Sequence, residues 1–297
     1  MTAPWLIVVA SFLFATMGVC VKLASSEYAS GEIVFYRGLT GALMMLALTR
    51  WRGGSLRTGV ASMHFWRCVS GVTALSLWFY SIGNLPLATA MTLNYMSSVW
   101  MALFLIGGAV MLGTARIDGR LVATVLLGFA GVALILRPTI AQQQLWYGLM
   151  GLLSGIIAAT AYLQVTALGR VGEPEYRIVF YFSIGSICAG ALSLLWAGGW
   201  HAHTVKGAAL LIAVGVLATA GQFMMTRAYS TGPTLVNASL QYLGIAFSFA
   251  YGVLLFGDVV TPMALLGMAL IVGAGLSATL LRSRSASPHT VNTALET

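Results

Sequence analysis

The sequence predicts an all-α polytopic membrane protein whose ten transmembrane helices form two inverted five-helix repeats. Three observations carry this prediction: the composition, ten apolar runs of helical length, and a pattern that recurs at a nearly constant offset. Of the 297 residues, 59% are hydrophobic and only 7% are charged, whereas soluble domains carry roughly 25% charged residues. We therefore expect the chain to lie in a lipid bilayer, with no room for a sizeable soluble domain.

The ten apolar runs are each about 20 residues long, which is the length of a helix that crosses the hydrocarbon core. Such long continuous runs differ from the short alternating strands of a membrane barrel. Their backbone groups must therefore be satisfied within helices. The runs lie at 4–24, 31–50, 62–83, 86–107, 121–137, 147–168, 176–197, 208–228, 233–256 and 262–281.

The basic residues predict the orientation of these spans. With the N-terminus on the cytoplasmic side, eleven of the fifteen fall in cytoplasmic segments and four fall outside. Because Lys and Arg prefer cytoplasmic loops, both termini are expected in the cytoplasm, and the net charge of +8 indicates orientation rather than nucleic-acid binding. The eleven are Arg50, Arg52, Arg57, Arg67, Arg116, Arg120, Arg170, Arg177, Arg227, Arg282 and Arg284.

An internal repeat divides the chain. The sequence Ile33-Val34-Phe35-Tyr36 returns as Ile178-Val179-Phe180-Tyr181 at an offset of 145, and Pro86 returns as Pro233 at an offset of 147. We expect one repeat in 1–142, a second in 143–282 and a disordered cytoplasmic tail in 283–297. Because five is an odd number, the second repeat enters the membrane from the opposite face, which is typical of transporters with a midplane site.

Each repeat places an amide beside a tyrosine, eight residues after its proline: Asn94-Tyr95 after Pro86, and Gln241-Tyr242 after Pro233. A lone amide facing lipid is unfavourable, so Asn94 and Gln241 either contact substrate in a cavity or bond to a neighbouring helix. With other mid-depth polar and aromatic side chains they predict an uncharged, ring-lined cavity. The candidate substrate-binding residues are Trp78, Tyr80, Asn94, Tyr95, Trp100, Tyr162, Gln164, Gln222, Gln241 and Tyr242.

Charged residues at membrane depth are scarce. All seven acidic residues fall in loops or near span ends, whereas proton-coupled pumps usually place a carboxylate within the membrane. Glu32, at the outer edge of the second span, is expected to be solvated, and Arg37 is expected to reach the interface by snorkelling, in a structural or gating role. There is no phosphate loop of the ATP-binding type. We expect a facilitator that follows the gradient of its substrate.

The sequence resembles the drug/metabolite transporter superfamily, in its EamA-type branch of ten-helix proteins. The resemblance rests on the duplicated unit, Arg37, the proline-opened fourth and ninth spans, and Phe256-Gly257-Asp258, where that family usually has glycine followed by glutamate. The first half has Leu112-Gly113-Thr114 at the matching place, without the acid. Among family members the chain looks most like the bacterial exporters of aromatic amino acids.

The resemblance and the predicted cavity together indicate a transporter of the bacterial inner membrane that exports aromatic or hydrophobic amino acids and related metabolites by alternating access, without tight proton coupling. The expected partners are the bilayer and the small solute, and a monomer is favoured over a dimer. We expect no enzymatic activity, cofactor, metal or nucleic acid; His201 and His203 alone are a weak metal signal. The alternatives are a broad multidrug exporter and, from another class, a membrane-bound enzyme or scaffold.

Overall fold

The structure, a computed structural model, describes residues 3–111, 144–196, 199–232, 234–259 and 261–285, and the isolated positions 123, 127, 130, 131 and 134. These residues form eleven α-helices and no strand. The helices are α1 (Ala3–Ala24), α2 (Ser30–Trp51), α3 (Ala61–Asn84), α4 (Leu87–Tyr95), α5 (Ser97–Met111), α6 (Leu145–Arg170), α7 (Glu175–Trp196), α8 (Val205–Thr231), α9 (Thr234–Leu240), α10 (Leu243–Phe256) and α11 (Pro262–Ser285).

The prediction of an all-α polytopic membrane protein is confirmed. Within the described ranges, six helical stretches are long and apolar enough to cross a membrane. Large apolar side chains such as Leu43, Leu195 and Leu254 are exposed on the outer faces of the bundle, where lipid can cover them. The count of ten spans stays a prediction, since the fifth span falls almost wholly outside the described residues, as do Pro233, Leu112-Gly113-Thr114 and positions 286–297.

Helices from the two halves pack against one another more extensively than helices within either half. The main pairs are α2 with α7, α1 with α8, and α3 with α6. In the predicted repeat, α6 is the counterpart of α1, α7 of α2, and α8 of α3. If each helix is replaced by its counterpart in the other half, the α1/α8 pair becomes the α6/α3 pair. The α2/α7 pair is unchanged, because its two helices are counterparts of each other. The division at residue 142 stays a prediction, but this packing has the symmetry that it requires.

The α2/α7 pair is held close by small residues. A Cβ atom at Gly38 would lie 2.7 Å from the Ser183 carbonyl oxygen, and one at Gly190 would lie 2.6 Å from the Phe35 backbone nitrogen. Backbones approach this closely only where a side chain is missing, which is the usual way that membrane helices pack tightly. The four-residue repeat that begins at Ile33 and Ile178 therefore lies in two helices that pack closely across the halves.

The carboxylate of Asp258 caps the N-terminus of α4. Asp258, which follows α10, accepts a hydrogen bond from the Leu87 backbone N–H over 3.1 Å. Lys22 donates to the Leu85 carbonyl oxygen over 2.7 Å, and its Nζ lies 4.0 Å from Asp258. The first N–H groups of a helix lack partners within the helix, and Pro86 precedes them here. Asp258 stands where proteins of the EamA-type branch usually have a glutamate. Here it caps a helix in the other half of the chain.

We expect Gly190→Ala to destabilise the protein by about 1–3 kcal/mol, because the added methyl group forces two backbones apart. Gly273→Ala in α11 is the matched control, since a Cβ there meets no atom of the described residues within 4 Å. Thermal unfolding of both variants in detergent checks the prediction. Equal melting temperatures for Gly190→Ala and Gly273→Ala would contradict the close α2/α7 approach.

Candidate functional site

Among the described residues, two predicted spans are interrupted in the interior, each at the predicted amide and tyrosine. Helix α4 ends at Tyr95 and α5 begins at Ser97, while α9 ends at Leu240 and α10 begins at Leu243. The sequence predicted continuous spans at both places, so the interruptions are a correction. Broken helices occur at membrane depth where their free backbone groups are buried in protein or line a cavity.

The backbone tightens around both interruptions. Val99 N–H donates to the Met96 carbonyl oxygen over 2.9 Å, and Gly244 N–H donates to the Gln241 carbonyl oxygen over 2.9 Å. These bonds span three residues instead of four, as in a 3₁₀ turn. Helix α6 lies directly against the first interruption, because a Cβ at Gly155 would lie 2.7 Å from the Leu93 carbonyl oxygen.

A cavity lies beside the first interruption, among α1, α2, α3, α4, α6, α7 and α8. Its empty volume is about 540 Å³, including the part open to solvent. Aromatic and small apolar side chains form most of its wall, with two arginines and two amides among them. It is lined by Phe14, Met17, Arg37, Arg67, Gly71, Ala74, Leu75, Trp78, Asn94, Tyr95, Ala158, Ala161, Tyr162, Phe182, Ala218, Gln222 and Met225.

Half of the ten predicted site residues line this cavity: Trp78, Asn94, Tyr95, Tyr162 and Gln222. They come from α3, α4, α6 and α8, which the tertiary fold brings together. Asn94 lines the cavity, and its Nδ2 donates to Ser154 Oγ over 2.9 Å, so it forms the predicted bond to a neighbouring helix. That these residues contact substrate stays a prediction.

The other five predicted residues are absent from the described wall. The ring of Tyr80 lies 5.4 Å from that of Tyr147, and Gln164 accepts a hydrogen bond from Ser70 over 2.6 Å. The Trp100 ring lies 6.4 Å from that of Phe104. Gln241 and Tyr242 are buried at the second interruption, where Gln241 Nε2 donates to Met225 Sδ over 3.3 Å. Gln241 therefore contacts the cavity wall from behind, at Met225 and beside Tyr162.

Arg37 lies inside the bundle, contrary to the snorkelling prediction. Its side chain is 2% exposed, and its Cζ lies 4.4 Å from the centre of the Phe182 ring. One of its terminal nitrogens donates to Ser186 Oγ over 3.2 Å. Phe182 and Ser186 are one helical turn apart on α7, so this helix directs the guanidinium into the cavity rather than towards the interface.

Arg67 is the main residue that sequence reasoning missed. The charge pattern predicts a cytoplasmic Arg67, but the residue lies in the second turn of α3 and is 2% exposed. Its Cζ lies 4.3 Å from the centre of the same Phe182 ring. Its spacing to Gly71 was a usable signal. A Cβ at Gly71 would overlap Arg67 Nη1, so the glycine one turn further along α3 makes room for the guanidinium.

The cavity is consequently cationic, which corrects the prediction of an uncharged one. Since both Cζ atoms lie within 4.4 Å of one ring centre, they are less than about 9 Å apart, and two unit charges at that distance repel by roughly 2 kcal/mol at an effective dielectric constant of about 20. Stacking on an aromatic ring offsets this in part, by about 0.5–2 kcal/mol per cation. Within the described part of the chain, neither arginine forms an ion pair with a carboxylate.

Glu32 is buried rather than solvated, which is a further correction. Its side chain is fully buried, and its Oε2 lies 2.8 Å from His201 Nδ1. His203 Nε2 lies 2.7 Å from the Tyr36 hydroxyl. The two histidines thus hold the 199–204 segment against the start of α2, and no group of three metal-binding side chains occurs among the residues described.

A second polar cluster closes the opposite end of α2, about 33 Å away along a 22-residue helix. Glu173 is buried there and accepts hydrogen bonds from Thr58 over 2.9 Å and from Arg177 over 3.0 Å, with His64 Nε2 at 3.3 Å. Burial raises the pKa of Glu173, but these hydrogen bonds outweigh it and hold the pKa below its usual value. The cluster joins the 52–60 loop to the 171–174 turn.

Glu173→Gln should lower the thermal stability at neutral pH, because the ionised carboxylate receives these hydrogen bonds. A carboxylate whose pKa is depressed by folding stabilises the protein above its unfolded pKa and loses that contribution as the pH falls through the folded pKa. The difference in melting temperature between wild type and Glu173→Gln should therefore be largest near pH 7 and shrink below about pH 4. Glu175→Gln, at a partly exposed pair with Arg227, is the control, and a pH-independent difference would contradict this role of the carboxylate.

Known proteins are similar in sequence to nearly the whole chain. The sequence profile of the EamA-like transporter family matches residues 1–137. The Pseudopaline exporter CntI of Pseudomonas aeruginosa (strain UCBPP-PA14) is 34% identical over 267 residues, which are 90% of this chain and 92% of that protein.

More distant relatives carry different names. The Riboflavin transporter of Rhizobium johnstonii is 25% identical over 92% of this chain and 89% of its own length. The S-adenosylmethionine uptake transporter of Rickettsia bellii is 22% identical, over 86% and 85% of the two chains. One crystal structure superimposes with a TM-score of 0.70 over 96% of this chain and 99% of that chain, and at 19% identity it shows the fold alone.

Proposed function

We propose that this chain, which belongs to the EamA-like transporter family, exports small amphipathic solutes through the central cavity by alternating access. The family and the relatives are transporters, so the chain is a multi-pass membrane transporter of a bacterial family and its partner is a small molecule.

The observation that carries the proposal is the central cavity between helices of the two predicted repeats, with the end of α4, at the first interruption, in its wall. Transporters built from inverted repeats bind their substrate at the repeat interface, next to discontinuous helices. The α1/α8 and α3/α6 pairings supply two matched contacts that can open in turn. Export rather than uptake is favoured by the 34% identical exporter.

The wall suits a solute with a ring and an acid group. Trp78, Tyr95 and Tyr162 offer aromatic faces for stacking, and the two arginines can bind a carboxylate. Aromatic and hydrophobic amino acids, which the sequence suggested, have both parts and are the first candidates. Cationic drugs are disfavoured, because two guanidinium groups would repel them. The varied names of the relatives support a cavity that tolerates solutes of different shape.

Transport should follow the gradient of the solute. None of the described lining residues is acidic, and a proton relay within a membrane usually requires a carboxylate or histidine at depth. Glu32 and Glu173 lie at the two ends of α2 rather than in the cavity wall. Their hydrogen bonds support a role in closing the ends, with no part in carrying protons through the cavity.

The test is flux into proteoliposomes that contain the purified chain. Labelled phenylalanine or tryptophan should enter when only its own gradient is present, and an imposed pH gradient should change the initial rate by less than about twofold. Flux that requires a pH gradient would overturn the facilitator mechanism. Absence of flux for both amino acids would overturn them as substrates, and faster flux of cationic dyes would favour the multidrug alternative.

Asn94→Leu should abolish most of this flux without unfolding the protein, because it removes an amide from the cavity wall and its hydrogen bond to Ser154. Gln164→Leu is the matched control: it also removes an amide hydrogen bond, but outside the cavity. Initial rates are compared at equal amounts of monodisperse protein. Wild-type flux in Asn94→Leu would exclude a role for Asn94 in the transport site.

A further inference from the structure

We propose that the cavity selects solutes with net negative charge, and that Arg37 and Arg67 bind a carboxylate of the solute. This rests on the proposed transport function and narrows its substrate class. Among transported amino acids, derivatives with an additional acidic group or a blocked amine would then be preferred over simple zwitterions.

The two arginines have unused hydrogen-bond donors. Nε of Arg37, and Nε and Nη1 of Arg67, are buried without a hydrogen-bond partner among the described residues. Buried donors normally have partners, and a charged donor left unpaired is especially unfavourable. Both side chains are 98% buried and line the cavity, so an anion that enters it meets donors that the protein itself leaves free.

The guanidinium groups are also held in place before any solute arrives. Phe182 lies under both of them, Ser186 accepts from Arg37, and the missing side chain at Gly71 leaves room for Arg67. Preorganised donors lose little freedom on binding, which raises affinity for a ligand that fits. Arg is also the side chain best suited to bidentate contact with a carboxylate.

The charge balance of the cavity favours an anion as well. Two cations less than about 9 Å apart repel each other, so one carboxylate relieves part of the repulsion and a second neutralises the pair. A zwitterion brings an ammonium group into the same space, where the described wall offers rings and amides but no carboxylate. The expected order of affinity is therefore dianion, monoanion, zwitterion, cation.

The experiment measures binding of four phenyl compounds that share a ring and differ in charge: benzylmalonate, N-acetylphenylalanine, phenylalanine and phenylalaninamide. The full chain is placed in lipid nanodiscs, and dissociation constants are taken from ligand-dependent thermal stabilisation. We expect about tenfold weaker binding at each step of the series, because each step removes one negative charge or adds one positive charge close to two guanidinium groups. Phenylalanine binding as tightly as benzylmalonate would overturn the proposal. Phenyl phosphate is measured as a fifth compound. If it binds more tightly than benzylmalonate, the site prefers phosphate to carboxylate, and the proposal of a carboxylate site is overturned.

Variants locate the effect. Arg37→Gln and Arg67→Gln should each reduce the preference for benzylmalonate over phenylalaninamide by about tenfold, while Arg52→Gln, at an exposed arginine, should leave it unchanged. Gly71→Ala keeps every charge but displaces the Arg67 guanidinium, so it should also weaken benzylmalonate binding. It provides the test if a glutamine variant fails to fold. An unchanged preference in the folded variants would overturn the assignment to these residues.

Flux measured on the same four compounds separates this inference from the proposed function. Preferential binding of the anions without any flux would contradict transport and leave the anion site intact. Flux of phenylalanine faster than that of N-acetylphenylalanine, in a protein that also binds phenylalanine more tightly, would contradict the anion site and leave transport intact.

Discussion

Two buried guanidinium groups on one phenyl ring are the constraint around which the interior is arranged. Burial of a charge is unfavourable unless other groups compensate for it, and here Phe182 and Ser186 do so only in part. Helix α7 carries both compensating residues, and α2 and α3 each carry one of the two buried arginines. The close α2/α7 packing through Gly38 and Gly190 therefore holds Arg37 against Phe182, while Gly71 makes room for Arg67 beside the same ring.

The two interrupted helices also bring backbone polar groups into the interior. At Tyr95–Ser97 and at Leu240–Leu243 the regular hydrogen bonding is replaced by three-residue turns, and α6 approaches the first interruption through Gly155. Polar clusters at the two ends of α2, around Glu32 and Glu173, hold loops of one half against helices of the other. The alternating access that we propose would require a central site with separate closures at its two ends.

Sequence reasoning was most successful where a pattern repeats. Pro86 with Asn94-Tyr95, and Pro233 with Gln241-Tyr242, marked both places at which a helix is interrupted, although the interruptions themselves were not predicted. Individual side chains were harder to place. Arg67 lies near the end of its span, where an arginine normally faces the cytoplasm, and Glu32 lies where a carboxylate is normally solvated. Both are buried because residues more than a hundred positions away, Phe182 and His201, lie against them.

The sequence by itself determined the class of protein and its helices, because hydrophobicity and helical length are local properties that the bilayer selects directly. It also indicated which polar residues are doubled. Only the tertiary structure decided which side chains share a cavity, and with it the sign of the charge there. That sign depends on the angle at which α2, α3 and α7 face one another, and on whether a long arginine side chain folds inward or outward. These contacts join residues distant in the chain, so no local pattern encodes them.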